Sequence, residues 1–160
     1  MGLDIHAAAM GDWVPAFIRI NNRMSGTARE PTAAEVGAYR GVLGVNNLRV
    51  ENLELFVHHV APGARLRDLG PGATTDGQSL RADLATIVMA ARMQSASPDR
   101  LHRIYRLLRP FTDGNGRCGR VLWMWQTMRA PRKGIGDSFW HESLDTAPPR
   151  LSVAPMRRLM

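Results

Sequence analysis

Within a dozen residues, Arg109-Pro-Phe-Thr-Asp-Gly-Asn-Gly-Arg-Cys-Gly-Arg120, the chain gathers the groups that hold a phosphate. Gly114, Asn115 and Gly116 allow a sharp turn that points successive N–H groups at one spot. Arg117 and Arg120 lie three apart, so both project from one side of a helix that starts there. Asp113 adds the oxygen ligand that Mg²⁺ takes from a protein when phosphates supply the rest of its shell. An ordinary glycine-rich connection with solvated arginines explains any one of these residues, but not their combination. No Gly-Lys-Ser/Thr follows, so this is not the Walker phosphate loop.

The elements around this stretch are helical. Val121–Met128 is apolar and continues from the turn as a helix that stops before Pro131. The N-terminus of such a helix carries unpaired N–H groups and the positive end of its dipole, which favour an anion. Upstream, Ser97-Pro98 starts a helix with Leu101, Ile104, Tyr105 and Leu108 on one face. It ends at Arg109, because Pro110 disfavours helical geometry in the residue before it. Leu80–Arg92 repeats Leu80, Leu84, Ile87, Val88 and Ala91 at helical spacing. Thr32-Ala-Ala-Glu35 is a capping box that opens a helix through Val36, Tyr39 and Leu43 to Gly44.

A further helix over about Val50–Val60 places Leu53, Phe56, Val57 and Val60 on one face. Its neighbours His58 and His59 point to different sides, which does not suit a shared metal. Between this helix and Leu80 the pattern breaks. Arg65, Leu66, Arg67, Asp68 and Leu69 alternate roughly and Gly70-Pro-Gly72 turns, which predicts a short irregular hairpin. Near the N-terminus, Asp12 can cap a helix with Trp13, Phe17 and Ile20 on one face, and Asn21–Thr27 reads as a loop. Asp137–Leu144 reads as a last helix, followed by a basic, proline-containing tail. The pattern predicts an all-α bundle with one small hairpin.

Composition narrows the classes. The 160 residues suit one domain with a real core. Cys118 is the sole cysteine, so neither a disulfide framework nor a cysteine zinc site is available within the chain, and a reducing, cytoplasmic location is expected. No apolar run approaches a membrane span of about 20 residues, and no secretion signal is visible. The net charge of +7 comes almost wholly from arginine, with Lys133 the single lysine. Arginine's planar fork suits phosphate, and a positive surface attracts nucleotides, acidic proteins or nucleic acid.

The Arg109–Arg120 stretch resembles the Fic motif, His-Pro-Phe-x-Asp/Glu-Gly-Asn-Gly-Arg-x-x-Arg. Pro110, Phe111, Asp113, Gly114, Asn115, Gly116, Arg117 and Arg120 match it, and Arg109 stands where the family has histidine. The resemblance extends more weakly over about residues 30–145. It implies a Fic-like helical bundle at 31–146 with a β-hairpin flap, preceded by a helix and loop at 1–30 and followed by the tail at 147–160. It also implies transfer of AMP from ATP to a Ser, Thr or Tyr hydroxyl of a target protein, with Mg²⁺ bound.

By the same resemblance Phe111 anchors the loop and Asp113 holds the metal. Asn115 and the backbone of Gly114 and Gly116 cradle the attacked phosphate, and Arg117 and Arg120 neutralise the departing ones. Arg65, Leu66 and Arg67 belong to the flap that pairs with the target backbone. Some Fic proteins are blocked by a Ser/Thr-x-x-x-Glu-Gly/Asn helix. Here Ser25 and Glu30 are one residue too far apart and Pro31 follows, so no such motif is present. An antitoxin-like partner that supplies the helix is the corresponding family-level expectation.

Arg109 bears on the reaction step. Histidine titrates near 6.5 and accepts a proton, whereas a guanidinium titrates above about 12. Deprotonating it at neutral pH costs about 8 kcal/mol, and loss of a positioned base costs about 10²–10⁴ in rate. His102, seven residues earlier on the same helix, has its backbone about 10 Å away and is too far for direct transfer. The expectation is impaired transfer with phosphate binding retained. A non-catalytic nucleotide or phosphate binder is the second reading. A basic nucleic-acid module ranks last, since no reading helix or aromatic platform is visible.

Overall fold

The computed structural model describes residues 13–67 and 76–130, of which only the backbone is described for 76–79. These residues form six helices: α1 (Val14–Met24), α2 (Ala33–Leu43), α3 (Val50–Val60), α4 (Asp76–Arg92), α5 (Pro98–Leu108) and α6 (Asn115–Arg129). The all-α expectation holds. The readings at Asp137–Leu144 and in the tail fall outside the described residues.

The chain is built around α6. Every residue from Cys118 to Gln126 is buried, as expected of a helix with neighbours on all sides. It packs on α5, α2, α1 and α3. Both tryptophans turn inward and each finds an acceptor for its indole N–H: Trp123 at Asp99 (2.8 Å) and Trp125 at the Val45 carbonyl (2.7 Å). Arg129 stacks over the Trp125 ring at 4.3 Å and donates to the Leu43 and Val45 carbonyls, closing the α2–α3 connection over the end of α6.

The α5–α6 hairpin runs antiparallel at close range. A Cβ on Gly119 would lie 2.8 Å from Tyr105 Cδ1 and 3.4 Å from His102 Cδ2, closer than real side chains approach, so glycine sets the helix separation here. Across the core, Trp13, Phe17, Tyr39 and Phe56 form an edge-to-face series with centroids 6.0, 5.8 and 4.8 Å apart.

The caps expected at Thr32 and Ser97 are present. Thr32 Oγ1 accepts from the Glu35 N–H at 3.1 Å, and Glu35 Oε2 from the Thr32 N–H at 2.9 Å. Arg29 grips the same carboxylate with two guanidinium nitrogens at 2.7 and 2.8 Å. Burial alone would raise the Glu35 pKa; Arg29, the Thr32 amide and Asn22 outweigh it and hold it below the ordinary value. Ser97 caps α5 through the Arg100 N–H at 3.2 Å.

Three expectations are corrected. Asn21-Asn-Arg-Met24, read as loop, is the last turn of α1. Asparagine favours turns because its side chain competes for the backbone. Here that side chain is buried and occupied: Asn21 Nδ2 donates to Tyr39 Oη at 2.6 Å and Asn22 Nδ2 to Glu35 Oε1 at 3.5 Å. Second, Ile20 is exposed, and the buried face of α1 is Val14, Phe17, Ile18, Asn21 and Asn22. Third, the N-cap of α1 is Trp13, without a side-chain bond and with Pro15 in the first turn; Asp12, read as the cap, lies outside the described residues.

Candidate functional site at the start of α6

The motif loop is held from both sides. Arg109 ends α5 in the left-handed conformation (φ 44°, ψ 64°), with its N–H on the Tyr105 carbonyl at 3.0 Å. Phe111 follows, 1% exposed, and anchors the loop in the core as expected. Asn115 then clamps the loop to α6: its Oδ1 accepts from the Phe111 N–H at 2.9 Å and its Nδ2 donates to the Phe111 carbonyl at 2.7 Å. The side chain of Asn115 thus shapes the turn, with one of its two Nδ2–H groups spent on Phe111. The other N–H and the backbone at the start of the helix remain for an anion.

Gly114 is the N-cap of α6 at φ 76°, and a Cβ there would come within 3.1 Å of Ala61. No side chain caps α6 and no acidic residue lies in its first turn, so the early N–H groups keep their affinity for a negative ligand. Asp113 is exposed and uses Oδ1 to accept from the Gly114 N–H at 2.6 Å. No group of three or more His, Cys, Asp or Glu gathers around a metal position among the described residues. One exposed carboxylate fits a Mg²⁺ held mainly by phosphate oxygens and water, not an all-protein cage.

Arg65, Leu66 and Arg67 lie against this loop. Leu66 bridges antiparallel to Phe111, with the Arg67 N–H on the Pro110 carbonyl and the Thr112 N–H on the Arg65 carbonyl, both at 2.8 Å. In this pairing the Leu66 N–H and C=O face away from Phe111. Arg67 also donates through Nε to the Arg109 carbonyl and through Nη2 to the Leu108 carbonyl, capping α5. The expected hairpin partner, in 68–75, lies outside the described residues. Arg67, expected to meet a target, is occupied at the end of α5.

Arg117 and Arg120 differ. Arg120 is 8% exposed, donates through Nε to Asn21 Oδ1, and through Nη2 to the Asn21 carbonyl at 3.1 Å and Ser25 Oγ at 2.7 Å. It lies folded over Gly116, whose Cβ, if present, would be 3.2 Å from Arg120 Nη1. Burial pushes the Arg120 pKa down to about 10, helped by the charges of Arg117 and Arg106. Arg117 is half-buried and its Nε has no hydrogen-bond acceptor among the described residues. Ser25 thus reaches the site, while Glu30 pairs with Arg19 at the surface.

The described histidines lie on α3 and α5, outside the loop itself. His102 is buried against Gly119; burial, then Arg106 and Arg120, push it down to about 4, so it is neutral at pH 7. His58 and His59 are exposed on α3. Cys118 is fully buried, and burial raises its thiol to about 12.

Arg106 escaped the sequence reading. The periodicity of α5 marks it as a solvent-facing residue, and only the helix pairing shows where it lies. Comparison with protein-family models, curated proteins and solved structures finds no match to this chain. The likeness to the Fic family rests on the residues of the motif and its flanks.

Proposed function

We propose that the start of α6 binds the phosphates of a nucleotide, and that the domain is of the Fic type, moving AMP from ATP to a protein hydroxyl. The observation that carries the proposal is the arginine cluster. The charges of Arg106 and Arg117 both act on Arg120, and none of the three forms an ion pair among the described residues, although Arg19, Arg29 and Arg81 all find carboxylates. Arg117 keeps a buried donor without an acceptor at the mouth of a helix that no acid caps. A bound phosphate would satisfy that donor, the helix N–H groups and the crowded charge together.

In this reading the target hydroxyl oxygen attacks the α-phosphorus, the bond to the bridging oxygen breaks and pyrophosphate leaves. Asp113 would hold Mg²⁺, which spreads the charge on the phosphates. The backbone N–H groups of Asn115 and Gly116, beside the Gly114 N–H that Asp113 holds, receive the charge building on the attacked phosphate, and Arg117 that on the leaving group. The outer edge at Leu66 offers one N–H and one C=O to an extended target segment. The hydroxyl proton has no acceptor at Arg109, so the chain binds nucleotide and transfers slowly. A purely binding role is the second reading, favoured by that same arginine.

The test is transfer of labelled AMP to protein by the chain and by Arg109→His. The transferase reading expects labelling to rise by about 10²-fold or more in the variant. Mg-ATP binding by both forms with no labelling by either would leave the binding role alone.

A further inference from the structure

We infer that Arg106, on α5, is a second phosphate-holding guanidinium of this site, and that Arg120 serves as the clamp that fixes α1 to α6. This rests on the phosphate-binding reading above. The register of the α5–α6 hairpin places Arg106. Asp99 meets Trp123, and one turn on His102 and Tyr105 meet Gly119. With antiparallel helices rising equally, the next turn of α5 toward the loop brings Arg106 opposite the first turn of α6, at Gly116. Its charge acts on both Arg120 and His102, as that placement requires.

The two arginines have opposite availability. Arg120 is buried and spends Nε and Nη2 on α1, on three acceptors supplied by Asn21 and Ser25. Only Nη1, over Gly116, is left for a ligand; turning the whole fork toward one would abandon a buried asparagine that also donates to Tyr39. Arg106 is exposed and makes no hydrogen bond or ion pair among the described residues. Its fork is therefore open to a phosphate oxygen without loss of an existing contact. Arg117 on α6 and Arg106 on α5 then flank the helix N-terminus from two sides, a layout that suits a chain of phosphates better than a single one.

The experiment is calorimetric titration of the full chain with Mg-ATP and with inorganic tripolyphosphate, paired with thermal melting. The variants are Arg106→Ala, Arg117→Ala and Arg120→Ala. Arg106→Ala is expected to weaken both ligands by about tenfold with the melting midpoint unchanged. Arg120→Ala is expected to lower the midpoint. If Arg117→Ala weakens binding while Arg106→Ala binds as the parent does, Arg106 is idle and this inference fails, with the site itself intact. If the parent chain binds neither ligand, the inference and the underlying reading fail together.

Discussion

Asn115 shows how one side chain can set the shape of a whole loop. Its amide satisfies both the N–H and the C=O of Phe111, so the loop has one shape before anything binds. Asn115→Ala should cost about 1–3 kcal/mol in urea unfolding, and Asn115→Asp, which keeps the acceptor and loses the donor, should fall between the two. Equal stability of all three forms would show that the clamp does nothing. Gly114→Ala should cost about 1–3 kcal/mol, because a left-handed φ disfavours alanine and the added carbon meets Ala61.

His102 gives the pH dependence at this scale. Its folded pKa of about 4 lies below the unfolded value of about 6.5. A depressed folded pKa contributes stability that is present above the unfolded value and is lost as pH falls toward the folded one. Between pH 7 and pH 5 the chain should therefore lose about 2 kcal/mol through this residue. Glu35, held below its ordinary value, adds its own loss only at lower pH. Urea unfolding at the two pH values, repeated with His102→Gln, checks this: the variant should lose most of the slope, and an unchanged slope would remove His102 as the cause.

At the scale of elements, the α5–α6 hairpin is the scaffold, and Gly119 sets its spacing. Gly119→Ala should push Tyr105 away and cost about 1–3 kcal/mol in thermal or urea unfolding. Much of this scaffold was legible in the sequence, because its signals are local. The Thr32–Glu35 box, the Ser97-Pro98 start, the apolar stripes of α3 and α4 and the Gly-Asn-Gly turn each declare themselves over three or four residues. What was not legible depends on partners distant in the chain. Asn21 and Asn22 look like loop residues until Tyr39 and Glu35 are placed beside them. Arg120 looks like a ligand arginine until α1 closes over it, 99 positions away in sequence. Arg106 looks like a surface charge until α6 folds back along α5.

For the whole molecule, the net charge of +7 is less informative than its distribution. Arg19 of α1, Arg29 of the α1–α2 loop and Arg81 of α4 are balanced by Glu30, Glu35, Glu51 and Glu54. Those at the junction of α5 and α6 have no such balance among the described residues. A fold that leaves several guanidinium groups together at a helix N-terminus carries a charge that an anion would relieve. No helix among the described residues is long and apolar enough to cross a membrane.

We propose above all that the first turn of α6, with Arg117, grips the phosphates of a nucleotide. Titration of the unaltered chain with Mg-ATP tests it most directly, with Arg117→Ala as the comparison. The account predicts one saturable site per chain, weakened about tenfold or more in the variant. No binding, or the same affinity with and without the Arg117 guanidinium, would contradict it.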